Sequence, residues 1–190
     1  MAIDVGRAFL KQFNINIPEL SNDKELTKQF ESETIKYNKL IKQPGFTIKG
    51  LENIATTTNQ KVISAVDILS ELIVPSFFAS KKLMHLLSIL QVNMTIENGN
   101  CDAMPFAYSW WGLSLIYQKK YKQAIEFSTL AMKMANSHKM TARAYTGSGI
   151  FIDYHRRHIL HSITILKTAA ASAEQSNEIT FATYCTTTYN

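Results

Sequence analysis

The residues best able to do chemistry in this chain crowd into one short run, Asp153-Tyr154-His155-Arg156-Arg157-His158, with His161 three positions on. Residues three apart share a helical face, so His158 and His161 could meet there. With Asp153 they would offer the nitrogen and oxygen donors that a zinc-type ion takes. The same run also reads as a basic turn between two helices, with His155 and His158 near helix ends, or as a basic surface for an acidic partner segment. A second candidate is the adjacent pair Trp110 and Trp111. Neighbouring residues on a helix point about 100° apart, so the two indoles cannot face one groove equally. One is expected in the inter-helix core, the other on a concave surface or at the junction with the preceding helix. Trp110, Trp111, Arg156, Arg157 and His158 are therefore the candidate interaction residues.

The other reactive types lack the company that chemistry needs. Lys119, Lys120 and Lys122 read as a solvated turn. Cys101 and Cys185 lie far apart without CxxC spacing, which argues against a zinc site or a disulfide framework and fits a reducing compartment. Neither has the neighbouring base or helix start that would make it a nucleophile. The methionines of MKMANSHKM read as flexible core filler. There is no GxxxxGK[ST] phosphate loop and no kinase set of Gly-rich loop, HRD and DFG. The sequence assigns no catalytic residue, cofactor or metal, and no turnover is expected from this chain by itself.

Composition narrows the class further. Of 190 residues, 46% are hydrophobic and 18% charged, a folded globular balance. Seven glycines and four prolines are too few for the many tight turns of an all-β fold. The net charge of +5 comes from basic residues that look scattered and often paired with acids, so nucleic-acid binding is not expected. MAIDVGRAFLKQF lacks the apolar core of a signal peptide. The most apolar stretch, VDILSELIVPSFFA, carries Asp67, Glu71 and Pro75 and is too short to span a bilayer. The expected setting is cytoplasmic, away from the membrane.

Helices must position these residues. Val5, Phe9 and Phe13 recur every fourth position and predict a short amphipathic helix over residues 1–13. Asn22 or Asp23 caps a second helix, to about Lys42, with Leu26, Phe30, Tyr37 and Ile41 among its apolar positions. A third runs from about Gln60 to Val74, where Pro75 stops it. Ser80 caps a fourth, to Ile96, and Gly99 in ENGN ends it. From Asp102 onward the helices become regular, joined by QKKY, NSHK, HRRH and QSN. TTTN at 56–59 reads as loop and cap.

That regular half repeats. Tyr108-x3-Gly112-x4-Tyr117 recurs as Tyr145-x3-Gly149-x4-Tyr154, 37 residues later. Ala124-Ile125 is matched by Ser162-Ile163, and Ala131 and Ala135 by Ala169 and Ala173, 38 residues later, one extra residue falling in the HRRH turn. Helix pairs at this period mark an α-solenoid, and the placing of Gly112, Tyr121, Ala124 and Ala131 fits the tetratricopeptide pattern in part. A third unit begins near Asn177, with Tyr184 in the place of Tyr145. The expected fold is all-α, an array of antiparallel tetratricopeptide-like helix pairs, irregular over residues 1–100 and regular over 101–190, with the last pair truncated.

The stretches PSFFAS, NMTIENGNCDAMPFAYSWWG, YKQAIEFSTLAMKM and FIDYHRRHILHSI, with FLKQFNINIP upstream, resemble a particular helical region. It follows the AAA-type ATPase module in large bacterial signalling proteins that combine a serine/threonine-kinase-like domain, a GAF domain and a histidine kinase. The resemblance covers nearly the whole chain but rests on packing motifs, so no catalytic residue comes with it. It implies a fragment of such a protein, acting as a non-catalytic scaffold whose partners are other domains of the same protein or a separate protein. Two alternatives stay open: part of an ATP-dependent protein kinase whose catalytic domains lie elsewhere, and the helical sensor region of a transcription regulator.

Overall fold

A computed structural model describes residues 2–189. Among these the protein is all-α, nine α-helices and two short 3-10 turns with no strand, and it divides into two compact units, residues 1–104 and 105–190.

The first unit contains α1 (Ala2–Lys11), α2 (Asp23–Leu40), α3 (Gln60–Ala79) and α4 (Lys81–Asn98), with a 3-10 turn at Lys49–Asn53. Within it α1 packs on α3, α3 on α4 and α2 on α4. A single residue, Ser80, joins α3 to α4 and serves both. Its N–H donates to Ser76 O at 2.7 Å, closing α3, while its Oγ accepts from Leu83 N at 3.3 Å, opening α4. A one-residue joint forces the two helices to fold back on each other. Asn22 caps α2 by accepting from Glu25 N. Gly99 ends α4 at φ +105°, and a Cβ there would lie 2.5 Å from Ala55 O, so only glycine lets the two backbone segments meet. Asn100 then ties this end down. Its side chain donates to Leu51 O at 2.7 Å and Ile54 O at 3.1 Å, while its backbone pairs with Ala55 and Thr57.

Two expectations for this unit need correction. The face of α1 carrying Val5 and Phe9 is the exposed one, and Ile3, Gly6 and Leu10 are buried instead. Gly6 decides this, because a Cβ there would fall 2.6 Å from the Leu72 methyls. Nor does Pro75 stop α3, which continues to Ala79. The proline removes one N–H, but four further residues complete the turn that Ser80 closes. At 20 residues α3 is consequently long and apolar enough to cross a membrane, by length and composition. Here its buried side, Ala65, Val66, Leu69, Leu72 and Ile73, belongs to the unit's core.

The second unit contains α5 (Met104–Tyr117), α6 (Tyr121–Met134), α7 (His138–Phe151), α8 (Ile159–Gln175) and α9 (Ile179–Tyr189), with a 3-10 turn at Asp153–His155. Successive helices pack, α6 on α7, α7 on α8 and α8 on α9, and α7 also reaches α9. The repeated glycines stand at two of the helix crossings. A Cβ on Gly112 would come within 3.2 Å of Ala124 O on α6 and 2.7 Å of Ile152 Cδ1. A Cβ on Gly149 would come within 2.9 Å of Leu166 and 3.2 Å of Ile165 on α8. Ala124, Ala131, Ala169 and Ala173 are fully buried along the same crossings. Helices α6 and α8 start at Tyr121 and Ile159, 38 residues apart, the one-residue excess over the glycine spacing lying in the longer connection before α8.

One titratable group couples the first unit to pH. Burial, helped by the nearby Lys81 ammonium, pushes the His85 imidazole down to about 4, and its ring sits 5.9 Å from that of Phe30. The folded chain keeps His85 neutral where the unfolded chain takes up a proton near pH 6.5. Stability is therefore lost as pH falls from about 6.5 to about 4, on the order of 2 kcal/mol after allowing for partial solvation. Urea titrations across that range should show the loss in the parent chain and a clearly flatter profile in His85→Gln.

Candidate interaction surface

The structure separates the five candidate residues into two groups. Trp110 and Trp111 are 5% and 1% exposed, so neither offers an indole face to a partner. Helix α5 explains why. It is apolar on every side, and residues 103–115 are buried without interruption. Phe106 meets Trp110 edge-on at 5.8 Å and Phe151 closes on it at 6.0 Å. Gly147, which takes Trp110's place in the second copy of the frame, lies against Ser109, where a Cβ would be 3.0 Å from its Oγ. Both tryptophans are buried, so the placing of one on an exposed concave surface is corrected.

Arg156, Arg157 and His158 are exposed, in the connection between α7 and α8. Asp153 anchors that connection from below. It is buried, and it accepts from Ser162 Oγ at 3.2 Å and pairs with His161 Nδ1 at 2.7 Å. The other ring nitrogen of His161 contacts Arg157. His158 points elsewhere, its Nδ1 accepting from Leu160 N at 3.3 Å as the N-cap of α8. The three positions weighed as one metal site are thus split between a buried polar anchor and a helix cap. Among the described residues no three His, Cys, Asp or Glu side chains gather as metal ligands.

The connection before α6 comes to the same place. Lys119 takes a left-handed φ of +60° to turn the chain sharply out of α5, and Lys120 and Tyr121 open α6. The Tyr121 ring lies 5.1 Å from His155, which in turn stacks on Tyr154 at 4.3 Å. The three rings join two connections that are far apart in sequence. Beside them a small cleft of about 50 Å³ is floored by Ile125, Met132 and Ile152 and edged by Arg156 and Arg157. A larger concavity of about 330 Å³ lies in the first unit, and three of its polar lining side chains are committed internally. Glu33 accepts from Asn93, Gln29 donates to Asn16 O, and Lys36 pairs with Glu97. Both cysteines are free and buried, and burial pushes their thiols up, away from the reactive thiolate.

One strong polar contact escaped the sequence reading. Arg143 on α7 grips Glu178, just before α9, with Nε donating to Oε2 at 2.9 Å and Nη2 to Oε1 at 3.2 Å. Its guanidinium lies 5.7 Å from the Phe106 ring centre and 5.4 Å from that of Phe181. The pair is largely buried, so removing one partner strands the other's charge. Glu178→Gln should cost about 3 kcal/mol by urea denaturation. Lys82→Gln, which breaks the exposed pair with Asp23, should cost under about 1 kcal/mol. Equal costs would contradict the role given to burial. Compared with protein-family models, with curated proteins and with solved structures, the chain matches none.

Proposed function

We propose that the chain is a non-catalytic helical-repeat scaffold of tetratricopeptide type, working by interdomain or protein–protein contact in a multidomain ATPase/kinase signalling protein. The observation that carries the reading is the repeated Tyr-x3-Gly-x4-Tyr frame, with a glycine at the α5–α6 and the α7–α8 crossing. A unit built this way buries its apolar side against its neighbours and leaves extended faces for partners. The placement beside an ATPase and a kinase rests on the resemblance of the packing motifs, and so do the cytoplasmic setting and the assignment of catalysis to other domains.

Sequencing the DNA on either side of this reading frame tests the parentage. The expected result is an upstream frame encoding a phosphate loop and a downstream frame encoding GAF and histidine-kinase domains. A single downstream helix-turn-helix frame would favour a transcription regulator instead. Purified chain should show no ATP hydrolysis above that of a mock preparation, and turnover that co-purifies with it would overturn the non-catalytic reading.

A further inference from the structure

The charge of this protein is not spread as its composition implies. Residues 1–104 carry eleven Lys and Arg against eleven Asp and Glu, whereas residues 105–190 carry nine against four. The whole excess of +5 therefore belongs to the second unit. Of its four acids, Glu178 is held by Arg143, and Asp153 is buried under the contacts from His161 and Ser162. Of its nine cations, four stand on the two converging connections, Lys119, Lys120, Arg156 and Arg157, and a fifth, Lys122, lies in the first turn of α6. All five are exposed and none forms an ion pair among the described residues. The Tyr121–His155–Tyr154 stack holds the two connections together, so the five charges form one edge.

We infer that this edge docks an acidic protein segment, rich in Asp and Glu. Cations without an ion-pair partner on a fixed scaffold attract carboxylates and speed encounter with them, and Arg156, whose Nη1 lies 3.5 Å from Thr129 Oγ1, offers a planar fork that a carboxylate can meet. The cleft over Ile125, Met132 and Ile152 opens beside that fork and accepts a small aliphatic side chain from the same segment. An apolar cleft of about 50 Å³ suits a peptide's aliphatic side chain rather than the planar base of a single-stranded nucleic acid, which stacks on open aromatic faces. The inference rests on the scaffold reading only in taking this edge as a contact surface. Flanking sequence tests the parent protein and a titration tests the edge, so failure of one leaves the other standing.

The test is fluorescence anisotropy of a dye-labelled Asp/Glu-rich peptide titrated with the full chain at low and moderate salt. A neutral Gly/Ser peptide and single-stranded oligothymidine serve as comparison probes. The acidic peptide should bind, weaken as salt rises, and outcompete both others. The double variant Lys120→Glu/Arg156→Glu should weaken it about tenfold or more. Lys139→Glu/Lys167→Glu changes the charge of the same unit equally, at exposed positions away from this edge, and should leave the affinity within about threefold. Circular dichroism checks that each variant is folded, and Lys120→Gln/Arg156→Gln replaces the first should it fail. No binding of the acidic peptide, equal loss in the two double variants, or tighter binding of oligothymidine would each overturn the proposal.

Discussion

The second unit depends on how closely its helices approach at Gly112 and Gly149. A Cβ at Gly112 would crowd Ala124 O at 3.2 Å and press on Ile152 Cδ1 at 2.7 Å, and one at Gly149 would clash with Leu166 at 2.9 Å. Glycine within a helix gives up about 1 kcal/mol of helix propensity relative to alanine. That loss is offset only if the contact it permits contributes more, through the buried alanines and aromatics along each crossing. The two glycines recur 37 residues apart in the repeated frame, each facing the helix that follows it. The connections after α5 and α7 then come out near each other. The Tyr121–His155 contact, the buried Asp153 anchor and the basic edge all follow from that approach.

The first unit solves the same problem differently. Three of its four helices, α2, α3 and α4, run 18 to 20 residues, its turns are fixed by single polar residues, and no frame repeats within it. Ser80 closes one helix and opens the next, while Asn100 donates to Leu51 O in the 3-10 turn and to Ile54 O just after it. Where the second unit uses small residues to bring helices together, the first uses hydrogen bonds to fix the joints. Burial in this unit keeps the His85 imidazole neutral.

Much of this was legible in the sequence because it rests on local rules. Caps at Asn22 and Ser80 and the positive-φ stop at Gly99 act over a few residues, and the recurring glycines show as a repeat in the chain itself. What could not be read depends on what lies across a gap. The buried face of α1 is set by a Leu72 that packs on Gly6, and periodicity alone favoured the face with Phe9. Pro75 sits where four more residues complete a turn, a choice made by packing and by the Ser80 cap. The Trp pair reads as amphipathic only until α5 proves buried all round. Arg143 and Glu178 gave no signal, since nothing local pairs residues so far apart. The basic connections looked scattered for the same reason: only folding brings Lys120 and Arg156 to one edge.

The central claim is that Gly112 and Gly149 do the same job in successive helix pairs, and substituting each by valine tests it most directly. Valine has the better helix propensity, so an open site would gain stability from the change. The close approach seen here predicts instead that Gly112→Val and Gly149→Val each lose about 2 kcal/mol or more by chemical denaturation. If either variant proved as stable as the parent, or more so, the account of these helix pairs as glycine-closed repeats would be contradicted.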